Sequence, residues 1–210
     1  PPPAYPPPAY GPRSPYPPPP PGYGAYPPPY NLGSPGHIHD GFFLRLHLGG
    51  GFTDVKGNGL EISGGSVSLG GALGGAIAEN LILFGNLFLS VADTPNVKEG
   101  GVTLTSSGSA TLGGFGLGLT YYFMPVNIYV SGAVAAMVFE MDDADGKKLY
   151  ASNSGLGFQG MVGKEWWVSP EWGLGVAGEL TVASMKDKDS TSGITWSGSS
   201  FSLVFSSTFN

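Results

Sequence analysis

The chain has 210 residues, a formal net charge of −6 and no cysteine, and only 11% of its residues are charged. So few charged side chains cannot cover the surface of a soluble domain of this size. An acidic chain lacks the basic face that nucleic-acid binding needs, and a chain without cysteine has no disulfides or thiolate metal sites. No apolar run reaches the ~18 residues of a transmembrane helix.

Residues 1–40 are rich in proline and tyrosine and begin with a tandem PPPAY repeat. Proline at this density favours extended polyproline II structure and cannot build a core. We predict an extended or disordered arm over residues 1–40, in which NLGSPGHIHD (31–40) is a flexible joint. The PPAY motifs also suit an aromatic-lined groove, so the arm is either a spacer or a docking ligand.

From Gly41 onward, apolar residues recur at every second position, as in half-buried β-strands. The first strand places Phe42, Leu44, Leu46 and Leu48 on one face, and the closing stretch FSLVFSSTFN repeats the pattern. Eight such stretches without a helical period predict an all-β domain over residues 41–210. They span residues 42–52, 67–77, 83–91, 115–123, 128–138, 156–162, 174–182 and 201–209.

The connections between these strands are of two kinds. Charged residues are concentrated at 54–61, 93–99, 140–148 and 186–189, where we predict polar loops of about 9–15 residues. The alternate connections, AEN, MPVN and KEWWVSPEW, are shorter. Long loops therefore lie at one end of the sheet, while short turns and both ends of the domain lie at the other.

The composition of the second strand face decides between two barrels. A soluble lipocalin-like barrel turns its apolar face inward and covers its outside with charges, whereas a membrane barrel turns its apolar face to lipid. The second face is mostly Gly, Ser, Ala and Thr, which suits a crowded eight-stranded interior and not a surface in water. We predict an eight-stranded antiparallel up-and-down transmembrane β-barrel with small residues inside.

Aromatic residues are concentrated near the short turns, where we expect a girdle at one membrane interface. The residues assigned to this girdle are Phe42, Tyr121, Tyr122, Phe123, Trp166, Trp167, Trp172 and Phe209, together with Phe43 and Tyr129. A sparser ring near the long loops would contain Phe52, Phe139, Tyr150 and Trp196.

Three features carry a family resemblance: the opening strand GFFLRLHLGGGF, the turn segments LTYYFMPVNIYVSG and GKEWWVSPEWGLGVAG, and a closing strand with the near-terminal Phe209. With them, residues 41–210 resemble the small outer-membrane β-barrels of the OmpA/OmpX-like superfamily. The resemblance implies the bacterial outer membrane, outward loops, and a periplasmic N-terminal arm. It also implies contact with outer-membrane lipid and lipopolysaccharide.

The closing strand resembles the C-terminal signal by which such barrels are recognised for insertion. Its apolar residues are Phe201, Leu203, Phe205 and Phe209, and the implied partner is the barrel-assembly machinery. In this signal an aromatic residue is usually last, whereas Asn210 follows Phe209 here.

Four ionisable residues fall on the predicted inward face: Arg45, His47, Glu165 and Glu179. A charge inside a barrel needs a partner, so we expect Arg45 to pair with Glu179 or Glu165. This lumen charge network is either a structural plug or a narrow polar path. No arrangement of catalytic residues is apparent, and we expect no enzyme, no cofactor and no metal.

The leading functional hypothesis is a structural, anchoring or interaction protein that reaches peptidoglycan or a periplasmic protein through residues 1–30. One alternative is a narrow channel for small solutes or ions. Another is a surface adhesin or receptor that acts through the outward loops.

Overall fold

The computed structural model describes residues 38–187 and 193–210, and this part of the chain contains eleven β-strands. The arm lies outside the described residues apart from 38–40, so its extended conformation stays a prediction. The strands are β1 (Phe42–Gly57), β2 (Leu60–Ala78), β3 (Leu81–Asp93), β4 (Asn96–Glu99), β5 (Val102–Thr105), β6 (Ser109–Phe123), β7 (Ile128–Asp142), β8 (Lys148–Ala151), β9 (Gly155–Trp167), β10 (Trp172–Lys186) and β11 (Thr195–Phe209).

Eight of these strands close into a barrel. The wall runs β1, β2, β3, β6, β7, β9, β10 and β11, and every neighbouring pair is antiparallel. The ends meet because β1 pairs with both neighbours, so that Leu44 lies opposite Leu73 of β2 and opposite Phe209 of β11. The predicted eight-stranded up-and-down barrel is confirmed.

Three short strands extend the wall at the end that carries the longer loops, here called the loop end. The hairpin β4–β5 pairs with the start of β2, with Ile62 opposite Val97, and β8 pairs with the end of β7. The opposite end, here called the short-turn end, holds the turns at 79–80, 124–127 and 168–171 as well as both ends of the barrel.

The first predicted polar loop is wrong. Only Asn58 and Gly59 separate β1 from β2, with φ of 52° and 74°. Asn-Gly is the dipeptide that accepts two consecutive positive φ values in a type I′ hairpin, so the strands continue to the turn. The charged residues around it lie on the strands, where Lys56 pairs with Glu61 at 2.9 Å and with Asp54 at 3.5 Å.

The outside of the barrel is an apolar belt. Large apolar side chains are exposed on all eight wall strands, for example Phe205 at 74% and Leu117 at 71%. On β1 the belt runs from Phe42 to Phe52, ~33 Å along a strand at ~3.3 Å per residue. A tilt of about 40° projects this length onto ~25 Å, the height of the apolar band of a membrane barrel.

The interior is less uniformly small than predicted. Two apolar clusters fill much of it, one towards the short-turn end around Phe43 and Tyr129, and one towards the loop end around Phe139 and Trp196. Phe139 and Trp196 therefore do not belong to an outer aromatic ring. No helix that is long and apolar enough to cross a membrane occurs among the described residues.

Replacing Phe205 by arginine tests whether the belt faces lipid. Phe205 lies opposite Leu48 and Val176 near the middle of the belt. A lipid-facing arginine at the midplane costs about 2–4 kcal/mol. We expect Phe205→Arg to lower the free energy of unfolding in lipid vesicles by this amount, as measured by urea titration.

Leu104→Arg is the matched control, because Leu104 is 69% exposed on β5, beyond the belt. A surface substitution of this kind usually changes stability by less than about 0.5 kcal/mol. Equal small effects of both substitutions would show that the belt faces water.

Candidate functional site

The polar side chains of the lumen are arranged in layers along the barrel. The arginine layer, around Arg45 and Glu165, is nearest the short-turn end. The histidine layer, around His47 and Glu179, follows, and then the hydroxyl layer, around Thr53. Beyond it lies the loop-end apolar cluster. The order follows from β1, whose inward residues alternate from Phe43 to Val55.

In the arginine layer, one buried ion pair crosses the lumen. Arg45 Nη2 lies 3.4 Å from Glu165 Oε1, and both side chains are almost fully buried. Arg45 also donates to the Tyr122 hydroxyl at 2.6 Å, and Tyr122 donates to Glu165 Oε2 at 3.1 Å. Thr208 completes the network by donating to Glu165 Oε1 at 2.6 Å. Of the two expected partners of Arg45, Glu165 is the one that forms the ion pair.

Aromatic rings enclose the guanidinium of Arg45. Its Cζ lies 3.9 Å from the ring centre of Tyr129 and 5.1 Å from that of Phe43. A cation over an aromatic face is attracted by the ring quadrupole, more strongly where water is excluded. The aromatic rings therefore share with Glu165 the stabilisation of a charge that has lost its hydration.

In the histidine layer, the carboxylate of Glu179 accepts hydrogen bonds from two side chains. Ser68 donates to its Oε1 at 2.7 Å, and Gln159 donates to its Oε2 at 3.1 Å. Gln159 in turn accepts from Asn86 at 2.6 Å. His47 Nε2 lies 3.1 Å from Glu179 Oε2, but the ring nitrogen is not aligned for a hydrogen bond.

The hydroxyl layer consists of small side chains that bond to one another. Thr53 donates to Ser66 at 3.0 Å and lies 2.7 Å from the hydroxyl of Ser90, which also accepts from Ser200 at 3.2 Å. These residues belong to β1, β2, β3 and β11, so the layer ties together the strands on either side of the barrel closure.

Glycines on the neighbouring strands make room for the large polar side chains. A Cβ at Gly70 would lie 2.6 Å from the ring of His47, and one at Gly175 would lie 2.6 Å from Cγ of Glu165. Contacts this short do not occur in folded proteins, so both positions require glycine for the lumen to pack as it does.

The predicted girdle is partly wrong. Phe42, Tyr121, Phe123, Trp166 and Trp172 are exposed on the outside near the short-turn end. Tyr122 has no exposed surface and belongs to the arginine layer, and Phe43 and Tyr129 also point inward. Strand alternation requires this, because Tyr122 follows an outward-facing residue.

The remaining predicted residues lie at the end of the wall or on the belt. Trp167 is half-buried beside the ring of His39, and Phe209 is half-buried between Phe42 and Trp172. Phe201, Leu203 and Phe205 are exposed on the belt. Sequence reasoning assigned no lumen contacts to Tyr122, Tyr129, Thr208, Ser68, Gln159 and Asn86, although the alternation of each strand turns them inward.

The described lumen residues hold paired charges inside the barrel. Across residues 38–187 and 193–210, no group of three or more His, Asp or Glu side chains is arranged to hold a metal ion. The buried carboxylates are occupied by arginine, amide and hydroxyl donors. The chemistry available to this site is the neutralisation of buried charge.

Comparison with solved structures finds the same architecture. The Neisserial surface protein A (NspA) superposes with a TM-score of 0.57, at 15% identity, over 79% of this chain and 96% of its own. The chain has the fold of the small outer-membrane β-barrels. OprG from Pseudomonas aeruginosa gives a TM-score of 0.45, at 14% identity, over 82% of this chain and 97% of its own.

The attachment invasion locus protein Ail of Yersinia pestis gives a TM-score of 0.44, at 9% identity, over 79% of this chain and 99% of its own. No protein-family model and no curated protein matches the sequence. In this outer-membrane barrel fold, the lumen layers described above are the interior of the membrane-spanning wall.

Substituting Glu165 tests whether the buried ion pair stabilises the barrel. Glu165→Gln keeps the size of the side chain but leaves Arg45 buried without a counter-charge. Breaking one partner of a buried pair costs about 3–5 kcal/mol. We expect a loss of this size in the free energy of unfolding, measured by urea titration in lipid vesicles.

Glu140→Gln is the matched control, because Glu140 forms its ion pair with Lys148 at the exposed surface. We expect it to have little effect, since exposed ion pairs are screened by water and salt. The double variant Arg45→Met/Glu165→Leu should recover part of the loss by removing both charges. An effect of Glu165→Gln no larger than that of Glu140→Gln would contradict the assignment.

Proposed function

We propose that this protein is a non-catalytic anchor of the bacterial outer membrane that presents the arm, residues 1–40, to the periplasm. The observation that carries the proposal is the lumen, which side chains fill in successive layers from the short-turn end to the loop end. A barrel of this kind serves as a membrane-embedded support and does not conduct. The apolar belt supports the membrane assignment. The proposal includes contact of the belt with outer-membrane lipid and lipopolysaccharide.

The filled lumen argues against the channel alternative. At the loop end, Phe139 and Trp196 have no exposed surface and lie with ring centres 5.3 Å apart. Below them, the polar side chains bond to one another across the lumen. A conducting path would have to break these contacts and leave buried polar groups unpaired, at about 1–3 kcal/mol each.

Bilayer conductance tests the closed lumen. We expect planar bilayers containing the purified protein to show no stepwise conductance, with a channel-forming porin in the same bilayers as the positive control. The variant Glu179→Ala should also be silent, because the layers on either side of Glu179 remain. Stepwise conductance that changes in Glu179→Ala would contradict the proposal and favour a narrow channel.

The arm gives the anchor its reach. Both ends of the barrel lie at the short-turn end, so the arm leaves from that side. Thirty residues of polyproline II at ~3.1 Å per residue reach roughly 90 Å. This length suits a tether to peptidoglycan or to a periplasmic protein, and the tyrosines between the prolines supply contacts for a partner.

Deleting residues 1–36 tests the tether. We expect the full-length protein to co-sediment with purified peptidoglycan, or to co-purify with a periplasmic protein from envelope fractions, and the deletion to lose that association. The matched control keeps the full arm but replaces the tyrosines of residues 1–30 by serine. Because its length is unchanged, this control shows whether the association needs the aromatic side chains or only the length of the arm. Unchanged association of the deletion variant in both assays would contradict the tether.

A further inference from the structure

Residues 38–40, immediately before β1, lie at the short-turn end of the lumen. His39 has no exposed surface although it belongs to no strand. Its backbone is held from both sides, because its N–H donates to Asn80 Oδ1 at 3.1 Å and its carbonyl accepts from the N–H of Asn80 at 2.9 Å. The segment is thus bound to the turn between β2 and β3.

The ring of His39 is bound as firmly as its backbone. It stacks on Tyr122 with ring centres 3.5 Å apart and planes 11° apart, and Trp167 lies 5.1 Å away. Nε2 lies 3.0 Å from Asn127 Oδ1 in the turn between β6 and β7. Since the amide oxygen can only accept, this contact places the proton of the neutral ring on Nε2.

The other turn and the C-terminus complete the same cluster. The N–H of Asn210 donates to the carbonyl of Glu171, in the turn between β9 and β10, at 3.0 Å. The side chain of Asn210 lies beside the His39 ring without meeting the geometry of a hydrogen bond. His39 therefore contacts two short turns directly and lies beside the chain end that is fixed to the third.

We propose that residues 38–40 are a latch that closes the short-turn end of the lumen while His39 is neutral and that is released when His39 takes up a proton. The latch fixes the point from which the arm leaves the barrel, and release lengthens the tether and exposes Tyr122. This device goes beyond the anchoring role and does not depend on which partner the arm binds.

Protonation conflicts with the docked geometry. The second proton must go to Nδ1, which is buried without an aligned acceptor among the described residues and has only the side chain of Asn210 beside the ring. Burial lowers the pKa of His39, while the amides of Asn210 and Asn127 and the charge of Glu165 on β9 oppose part of this shift. Arg45 on β1 lowers the pKa further, because its guanidinium, which donates to the Tyr122 hydroxyl, would repel a second positive charge on the His39 ring.

The direction of the pH effect follows from linkage. A released His39 has the ordinary pKa of about 6.5, whereas the docked one has a lower pKa. Above pH ~6.5 both forms are neutral and docking has its full strength. Below that pH only the released form takes the proton, so the ratio of docked to released latch falls about tenfold per pH unit until the lowered pKa is reached.

A spin label at position 38 tests the latch, because the chain has no cysteine and Ile38 is exposed. The full-length variant Ile38→Cys is labelled, placed in lipid nanodiscs, and its mobility is measured by electron paramagnetic resonance from pH 8 to pH 5. We expect an immobile label at pH 8 and a growing mobile fraction below pH 6.5. The same label in Val102→Cys, at the loop end, should not respond.

Adding His39→Gln to the labelled protein identifies the titrating group. Glutamine keeps an N–H donor for Asn127 but takes up no proton in this range, so we expect the pH transition to disappear, whether the segment is docked or released throughout. A label that is equally mobile at pH 8 and pH 5 in the otherwise unchanged chain would overturn the latch. A transition that persists in His39→Gln, or that appears equally at Val102, would also overturn it.

Discussion

An eight-stranded wall encloses so little space that the charged side chains inside it, Arg45 and Glu165, must be paired with each other. Water cannot solvate Arg45 or Glu165 where they lie, and each polar atom left unpaired costs about 1–3 kcal/mol. The arginine layer meets this requirement with a single arrangement, in which Glu165 accepts from Tyr122 and Thr208 while facing Arg45. The inward residues that β1, β6, β9 and β11 contribute to this layer therefore depend on one another, because replacing one leaves the others without a partner.

The same lack of space explains why glycine is so frequent. The chain has 36 glycines, and several of them face inward opposite a large side chain. Gly163 lies under the ring of Tyr129, and Gly175 lies under Glu165. A large inward residue on one strand therefore requires glycine at the paired position of the next strand. Large and small inward residues must alternate between neighbouring strands for the lumen to be filled without voids. Glycine here is a packing residue of the core, although in strands it usually lowers stability.

Much of the fold could be predicted from the sequence, because alternation and the scarcity of charges are direct consequences of a wall between lipid and a narrow lumen. The errors have physical causes. Residue type alone favours a place for Tyr122 in the girdle, yet alternation along β6 turns it inward. The loop at 54–61 was assigned from its charges, whereas Asn58-Gly59 forms a two-residue turn. The docking of His39 could not be predicted, since it depends on where three turns meet in space.

The inside of the barrel changes from polar layers to an apolar cluster at the loop end, and the outward residues there show the reason. Beyond Phe52, the outward residues of β1 become Asp54 and Lys56, while the inward residue between them is the buried Val55. Strand β11 changes in the same way, since Trp196 is buried inside and Thr195 is exposed outside. The wall is continuous and its alternation is unbroken. The reversal must therefore come from the medium outside the wall, which is lipid at the belt and water beyond it. Next to lipid the outward residues are apolar, and beyond the membrane edge the outward residues are polar while apolar ones fill the inside, as in a soluble barrel. The apolar cluster that seals the lumen is thus the core of the part of the barrel that stands in water.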